Sequence, residues 1–209
     1  MLIGYPMAYF ISRAKPKNRK ILLTAAMIPM WINLLIRTYS MMALLDDGGL
    51  INVVLDFFFG SDPEKLETFF KFVGTKGAVI FGMVYDFLPY MIVPIYTVMS
   101  KLDPRLLEAA QDLGCNNVEV MTKVVLPLTR SGIISGITMV FVPSISTFYI
   151  SQKLGGGTFE LIGDTIERQF VSSALNTGAA ISFVMMILIL ISLSVMNKFT
   201  DADDGGIIV

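Results

Sequence analysis

The stretch GAVIFGMVYDFLPYMIVPIYTVM, Gly77 to Met99, decides the class of fold, because it is continuously apolar except for one charge, Asp86. A helix rises about 1.5 Å per residue, so roughly 20 mostly apolar residues cross a hydrocarbon core about 30 Å thick. Gly77–Met99 meets that demand. So do Gly132–Ile150 and Asn176–Met196, which carry no charge. Ile21–Leu45 is long enough but contains Arg37, whose long side chain is expected to snorkel to the interface. The pattern predicts four full spans in an all-α, polytopic transmembrane bundle.

Composition agrees. Apolar residues make up 54% and charged residues 16% of the 209, where a soluble domain has about 25% charged. A net charge of −1 offers no basic footprint for nucleic acid. With no His and a single Cys, Cys115, the chain cannot build a His-ligated or multi-Cys metal site, a Cys-His nucleophile, a Ser-His-Asp triad or an internal disulfide. No metal site and no catalytic residue are expected.

The opening MLIGYPMAYFI covers half a bilayer and precedes a basic run, Arg13 to Lys20, which is the reverse of a signal peptide. It reads as the last half of a helix, with Met1 as an internal start and an earlier span absent. Five of the sixteen Lys and Arg lie in Arg13–Lys20, so the positive-inside bias places that loop in the cytoplasm. Alternation then puts Asp46–Lys76 outside, Ser100–Arg130 inside, Ser151–Leu175 outside and the tail from Asn197 inside. Leu50–Phe59, an apolar stretch ending in Gly60, fits a surface-lying helix in the outer segment. It reads equally as a docking surface or as a cap over the bundle. The expected organisation is one membrane domain over residues 1–200, with an acidic tail over 201–209, solvated and disordered around Asp201, Asp203 and Asp204.

Between Leu102 and Thr129 the sequence changes to LDPRLLEAAQDLGCNNVEVMTKVVLPLT. Asp103 suits an N-cap and Pro104 the first helical position. Leu106, Leu107, Ala110 and Leu113 then recur at helical spacing, and Gly114 can adopt the left-handed conformation that ends a helix. Asn116 and Glu119 form a capping-box pattern for a second helix, which Pro127 should halt or kink. The expectation is a helix, a sharp turn and a helix at the membrane surface.

These residues carry a resemblance. Glu108-Ala109-Ala110, Gly114, Val124 and Leu126-Pro127, at their fixed spacing, resemble the EAA loop of the permease subunits of bacterial ABC importers. The resemblance implies the type I importer permease fold, with a cytoplasmic coupling helix, in the bacterial plasma (inner) membrane. Glu108, Ala109, Ala110, Gly114, Leu126 and Pro127 would engage a homodimeric ATPase subunit. A second permease, an extracytoplasmic substrate-binding protein and membrane lipid complete the implied partners. No G-x-x-x-x-G-K-[ST] occurs, so ATP is expected on the ATPase and no cofactor in this chain.

GYPMAYFISRA, LIRTYSMMALL with GLIN, MVYDFLPYMIVPIYTVMSKLDPRLLEAA and LGGGTFELIGDTIERQF are further similar to the first-permease class of the spermidine/putrescine importers. A polyamine is a string of ammonium groups on an apolar stem, so its path should offer carboxylates and aromatic faces. Asp86 is the foremost candidate, with Tyr85, Tyr90 and Tyr149; each has the simpler reading of a subunit pair or an interface residue. Pro29, Pro89, Pro94 and Pro143 interrupt spans and should kink them. Two rivals stand beside this reading. One is a permease of the same architecture for an anion such as sulfate. The other is a membrane-embedded enzyme using Asp46 with Asp47, or Glu160 with Asp164 at i, i+4 on one helix.

Overall fold

A computed structural model describes residues 1–59, 72–157 and 160–204, with the backbone alone described for 55–59 and 199–204. Every regular element among the described residues is helical. We number them α1 (Gly4–Arg13), α2 (Pro16–Trp31), α3 (Leu34–Leu45), α4 (Leu50–Phe59), α5 (Lys76–Met99), α6 (Pro104–Asp112), α7 (Asn117–Leu128), α8 (Arg130–Ser146), α9 (Tyr149–Leu154), α10 (Ile162–Val171) and α11 (Leu175–Asp204).

Two of the four expected spans, α5 and α11, are single helices long and apolar enough to cross a membrane. The other two are broken. Ile21–Leu45 divides at Ile32-Asn33, where the Asn33 side chain accepts a hydrogen bond from Leu35 N–H and starts α3 as its N-cap. Gly132–Ile150 ends as helix at Ser146, and the chain restarts at Tyr149 as α9. The half-helix expected at the amino terminus is α1, and the amphipathic segment of the outer loop is α4; Gly60 and the outer-loop Lys65 and Lys71 lie outside the described residues. The helical backbone of α11 continues through Asp201 and Asp203 to Asp204, where an unstructured tail was expected.

The described residues form two compact units, one within 1–28, 88–142 and from 186 onward, the other within the described parts of 29–87 and 143–185. Three of the sequence boundaries fall at or within two residues of Pro29, Pro89 and Pro143. A proline inside a helix removes one i to i−4 hydrogen bond.

In the first unit, Met91, Ile92, Ile95 and Met99 form the buried stripe of α5, and Ala8 and Ile11 of α1 pack into the same core. Leu107 and Ala110 of α6 and Val120 and Val125 of α7 complete it. Small residues let backbones approach: a Cβ on Gly132 of α8 would stand 2.9 Å from Val98 Cγ2 and 3.0 Å from the Pro94 carbonyl oxygen. The carbonyl cannot move aside as a side-chain end can. Gly132→Val should therefore destabilise the protein by about 1–3 kcal/mol through overpacking, although Gly→Ala in a helix ordinarily gains up to about 1 kcal/mol. The midpoint of thermal unfolding in detergent reads this out, and an unchanged or raised midpoint would contradict the close approach.

In the second unit the core is Met41 of α3, Ala78 and Val79 of α5, and Ile150 and Leu154 of α9. Gly82 of α5 faces Ile150 and Leu154 with no room for a side chain. Asp164 holds α9 to α10: its carboxylate accepts from Ser151 Oγ at 2.9 Å and from Leu161 N–H at 2.8 Å.

Candidate functional site

The loop from Leu102 to Thr129 folds as the cap signals demand. The Asp103 side chain accepts from Arg105 N–H at 2.9 Å, and Pro104 opens α6. At the other end Gly114 takes φ +88°, Cys115 N–H bonds to the Ala110 carbonyl at 3.1 Å, and Gly114 N–H bonds to the Gln111 carbonyl at 2.8 Å. That pair of bonds is a Schellman closure, in which a left-handed residue lets the chain reverse over the last turn. Asn116 and Glu119 then form a capping box, with reciprocal bonds of 2.9 Å and 3.0 Å. Lys123 Nζ reaches Glu119 at 2.8 Å. That bond, and then the Asn116 N–H, hold the Glu119 carboxyl below its ordinary range. The capping box is therefore fully present above the usual Glu pKa and is lost as pH falls through the lowered one.

The packed face of α6 differs from the expected one. Leu107 and Ala110 are buried, whereas Leu106 is 49% and Leu113 86% exposed. Leu106, Ala109 and Leu113, at i, i+3 and i+7, make an apolar stripe left uncovered among the described residues. Glu108 is exposed, and among the described residues no cation lies within ion-pair distance of it.

Leu126 and Pro127 are also exposed, but Pro127 does not stop the helix. The turn before it, Met121–Val125, widens to π geometry, with Leu126 N–H bonded to the Met121 carbonyl. The wider turn accommodates a ring that would otherwise crowd the Lys123 carbonyl. The bend comes two residues later. At Thr129 the chain turns by 67° into α8, and the buried Thr129 hydroxyl donates to the Val125 carbonyl at 2.8 Å. Its oxygen is bonded to the Tyr5 hydroxyl at 3.1 Å, so α1 is tied to the bend.

Asp86 is the expected substrate-path or subunit-pair residue, and Arg37 the one expected to snorkel to the interface; the geometry pairs the two within this chain. Asp86 is 1% and Arg37 9% exposed, and they form an ion pair between α5 and α3. Arg37 Nη1 also donates to the Pro29 carbonyl, which at the break of α2 accepts from Ile32 N–H as well. The break at Ile32-Asn33 and the buried cation are thus one arrangement. Of the tyrosines, Tyr85 places its ring 5.9 Å from the Arg37 guanidinium, and Tyr149 packs with Tyr39 and Lys153. Tyr90 lies one turn beyond Asp86 on α5 and is half-buried.

The paired-carboxylate alternative finds little to build on. Glu160 precedes the first residue of α10, so it does not share a helix face with Asp164, and it pairs with Arg168 instead. The Asp46 carbonyl closes the turn after α3, accepting from Gly49 N–H at 2.8 Å and Asn52 Nδ2 at 2.9 Å. Sequence reasoning missed Arg37 as the partner of Asp86, and also Tyr39 and Lys153. One signal was available for the first: a lone cation and a lone anion in two separate spans neutralise each other at less cost than either does alone.

The sequence profile described as "Binding-protein-dependent transport system inner membrane component" matches residues 1–202. The spermidine/putrescine transport system permease protein PotB of Haemophilus influenzae is 41% identical over 189 residues, which cover 90% of this chain and 64% of that protein. The proteins of the same name from Escherichia coli K12 and Salmonella typhimurium LT2 are 37% identical over 189 residues and 35% identical over 196, each with 67% of its length covered. The chain thus spans about two thirds of the length of these relatives.

Proposed function

We propose, from the premise that this chain belongs to the family of binding-protein-dependent transport system inner membrane components, that it is the permease subunit of an ABC importer for polyamines. Membership makes it a transport component of the inner membrane. The finer reading is that α6 is the coupling helix, seated in a cleft of a separate ATPase.

The single observation that carries this is the uncovered stripe of Leu106, Ala109 and Leu113 on a helix closed by the left-handed Gly114. A contiguous apolar strip left in solvent is a contact surface. Glu108 beside it offers a carboxylate to a basic group. The route inward lies within the first unit. Movement of α6 passes through the Schellman turn to α7, then through the bend at Thr129 to α8, whose Gly132 and Gly136 lie directly on α5. The Tyr5–Thr129 bond carries the same movement to α1. Polyamine as cargo is supported by the names of the relatives and by the tyrosines in the spans.

The test is reconstitution of the assembled importer, with its ATPase, second permease and binding protein, in proteoliposomes. ATP-dependent uptake of labelled spermidine or putrescine, uncompeted by sulfate, is expected. The chain purified alone should hydrolyse no ATP above background. Sulfate uptake in place of polyamine uptake would replace the substrate, and turnover by the isolated chain would overturn the permease reading itself.

A further inference from the structure

We infer that Tyr39 and Tyr149 form a binding corner for a primary ammonium group of the transported polyamine, and that Lys153 occupies this corner at rest as a built-in stand-in for the substrate. The inference rests on the polyamine reading above and adds the site and its exchange to it.

Tyr39 lies on α3 and Tyr149 at the start of α9, and their rings meet edge to face with centroids 6.0 Å apart and planes at 80°. Two rings at right angles leave a corner with an aromatic face on each side. Lys153 follows Tyr149 by four residues, one helical turn, and sets its Nζ 5.3 Å from the Tyr39 centroid and 5.9 Å from the Tyr149 centroid. Both distances are within the roughly 6 Å over which a ring face attracts a cation. Among the described residues no carboxylate lies within ion-pair distance of that ammonium. The ring faces and the Tyr39 hydroxyl, which is hydrogen-bonded to Lys153 and to Tyr149, hold the charge together, and aromatic faces are a recurring means of recognising organic ammonium ligands.

The chemistry of the resident group defines the ligand. A lysine side chain is a flexible four-carbon stem ending in an ammonium, and putrescine is the same stem with an ammonium at each end. What fits Lys153 fits the end of a polyamine. The corner is also reachable, since Tyr39 is 47% exposed. The exchange requires little of the backbone: α9 is pinned by the fully buried Ile150 and Leu154 and by the Ser151–Asp164 bond, while the Lys153 stem turns about its own rotatable bonds. The nearby Arg37 is neutralised by Asp86, so it does not repel an arriving cation. An intramolecular occupant competes with the substrate and weakens its apparent binding. That suits a transport path, where each site must release what it takes up.

The test uses the purified membrane complex without its binding protein and measures binding of labelled putrescine, alongside uptake by the complete importer. Lys153→Ala vacates the corner and should tighten putrescine binding about 3- to 10-fold, while Lys153→Arg should stay near wild type. Tyr39→Leu or Tyr149→Leu should weaken binding by a similar factor, and the Phe variants, which keep the ring face and lose only the hydroxyl, should weaken it less. In the Tyr39→Leu background Lys153→Ala should gain nothing, because there is no corner left to vacate. The same gain in both backgrounds would mean that Lys153 only repels cations at a distance and would overturn the inference. So would putrescine binding undetectable in every variant of a complex that transports it. A wild-type importer that takes up no polyamine would remove the substrate reading and this inference together, whereas normal uptake with Lys153→Ala binding unchanged would remove this inference alone.

Discussion

Asp86→Asn is expected to destabilise the folded protein by about 3–5 kcal/mol, because it leaves the Arg37 guanidinium buried without its counter-charge. Arg37→Gln should cost about as much for the mirror reason. The double variant Arg37→Gln/Asp86→Asn should recover most of the loss, since it removes both charges and leaves neutral groups of similar shape. This non-additivity distinguishes a buried pair from two independent residues. Steady-state level in the membrane and the unfolding midpoint of the detergent-purified complex measure it. If the single changes assemble normally, polyamine uptake falls with Asp86→Asn, and the double variant brings nothing back, then the carboxylate serves the passing substrate and not Arg37.

Gly114→Val should lower transport and transport-coupled ATP hydrolysis more than tenfold while leaving membrane insertion intact. At φ +88° a residue with a branched Cβ is a steric outlier, strained by roughly 1–2 kcal/mol or more. A Cβ at this position would meet no atom within 4 Å, so the effect owes nothing to crowding. A series separates the two causes. Asn, which tolerates the left-handed region, should be the mildest change and Ala intermediate; ordering by side-chain volume instead would point to a clash with the ATPase. Glu108→Lys should cause a comparable loss by a different route, repelling a basic group across the interface without disturbing α6, whose cap and closing turn involve neither charge. Wild-type transport by either variant would remove α6 from the coupling role.

Much of this was legible along the chain because its signals are local. Asp103, Pro104, Gly114 and the Asn116/Glu119 box act on residues two to four positions away, and each sits where those rules put it. The amphipathic side of α6 was less legible: spacing alone grouped Leu106 and Leu113 with Leu107 and Ala110, and only the packing against α5 and α7 separates the buried pair from the exposed one. The broken spans were not legible either. Hydropathy sums over a window and passes across Ile32-Asn33, whereas the break is made by an N-cap and by the Arg37 guanidinium, which donates to the Pro29 carbonyl beside Ile32 N–H. The Tyr39, Tyr149 and Lys153 cluster joins two helices more than a hundred residues apart in sequence, a separation that no periodicity encodes.

The amide of Cys115 closes the Schellman turn, and its side chain carries the one thiol of the whole chain. Half-buried at the junction of α6 and α7, that sulfur is a natural attachment point for a spin label or fluorophore. A probe there requires no engineered residue in these 209 positions. It reports from the segment through which nucleotide-driven closure would have to pass, so its mobility in the apo, ATP-bound and vanadate-trapped complexes becomes a spectroscopic record of the transport cycle.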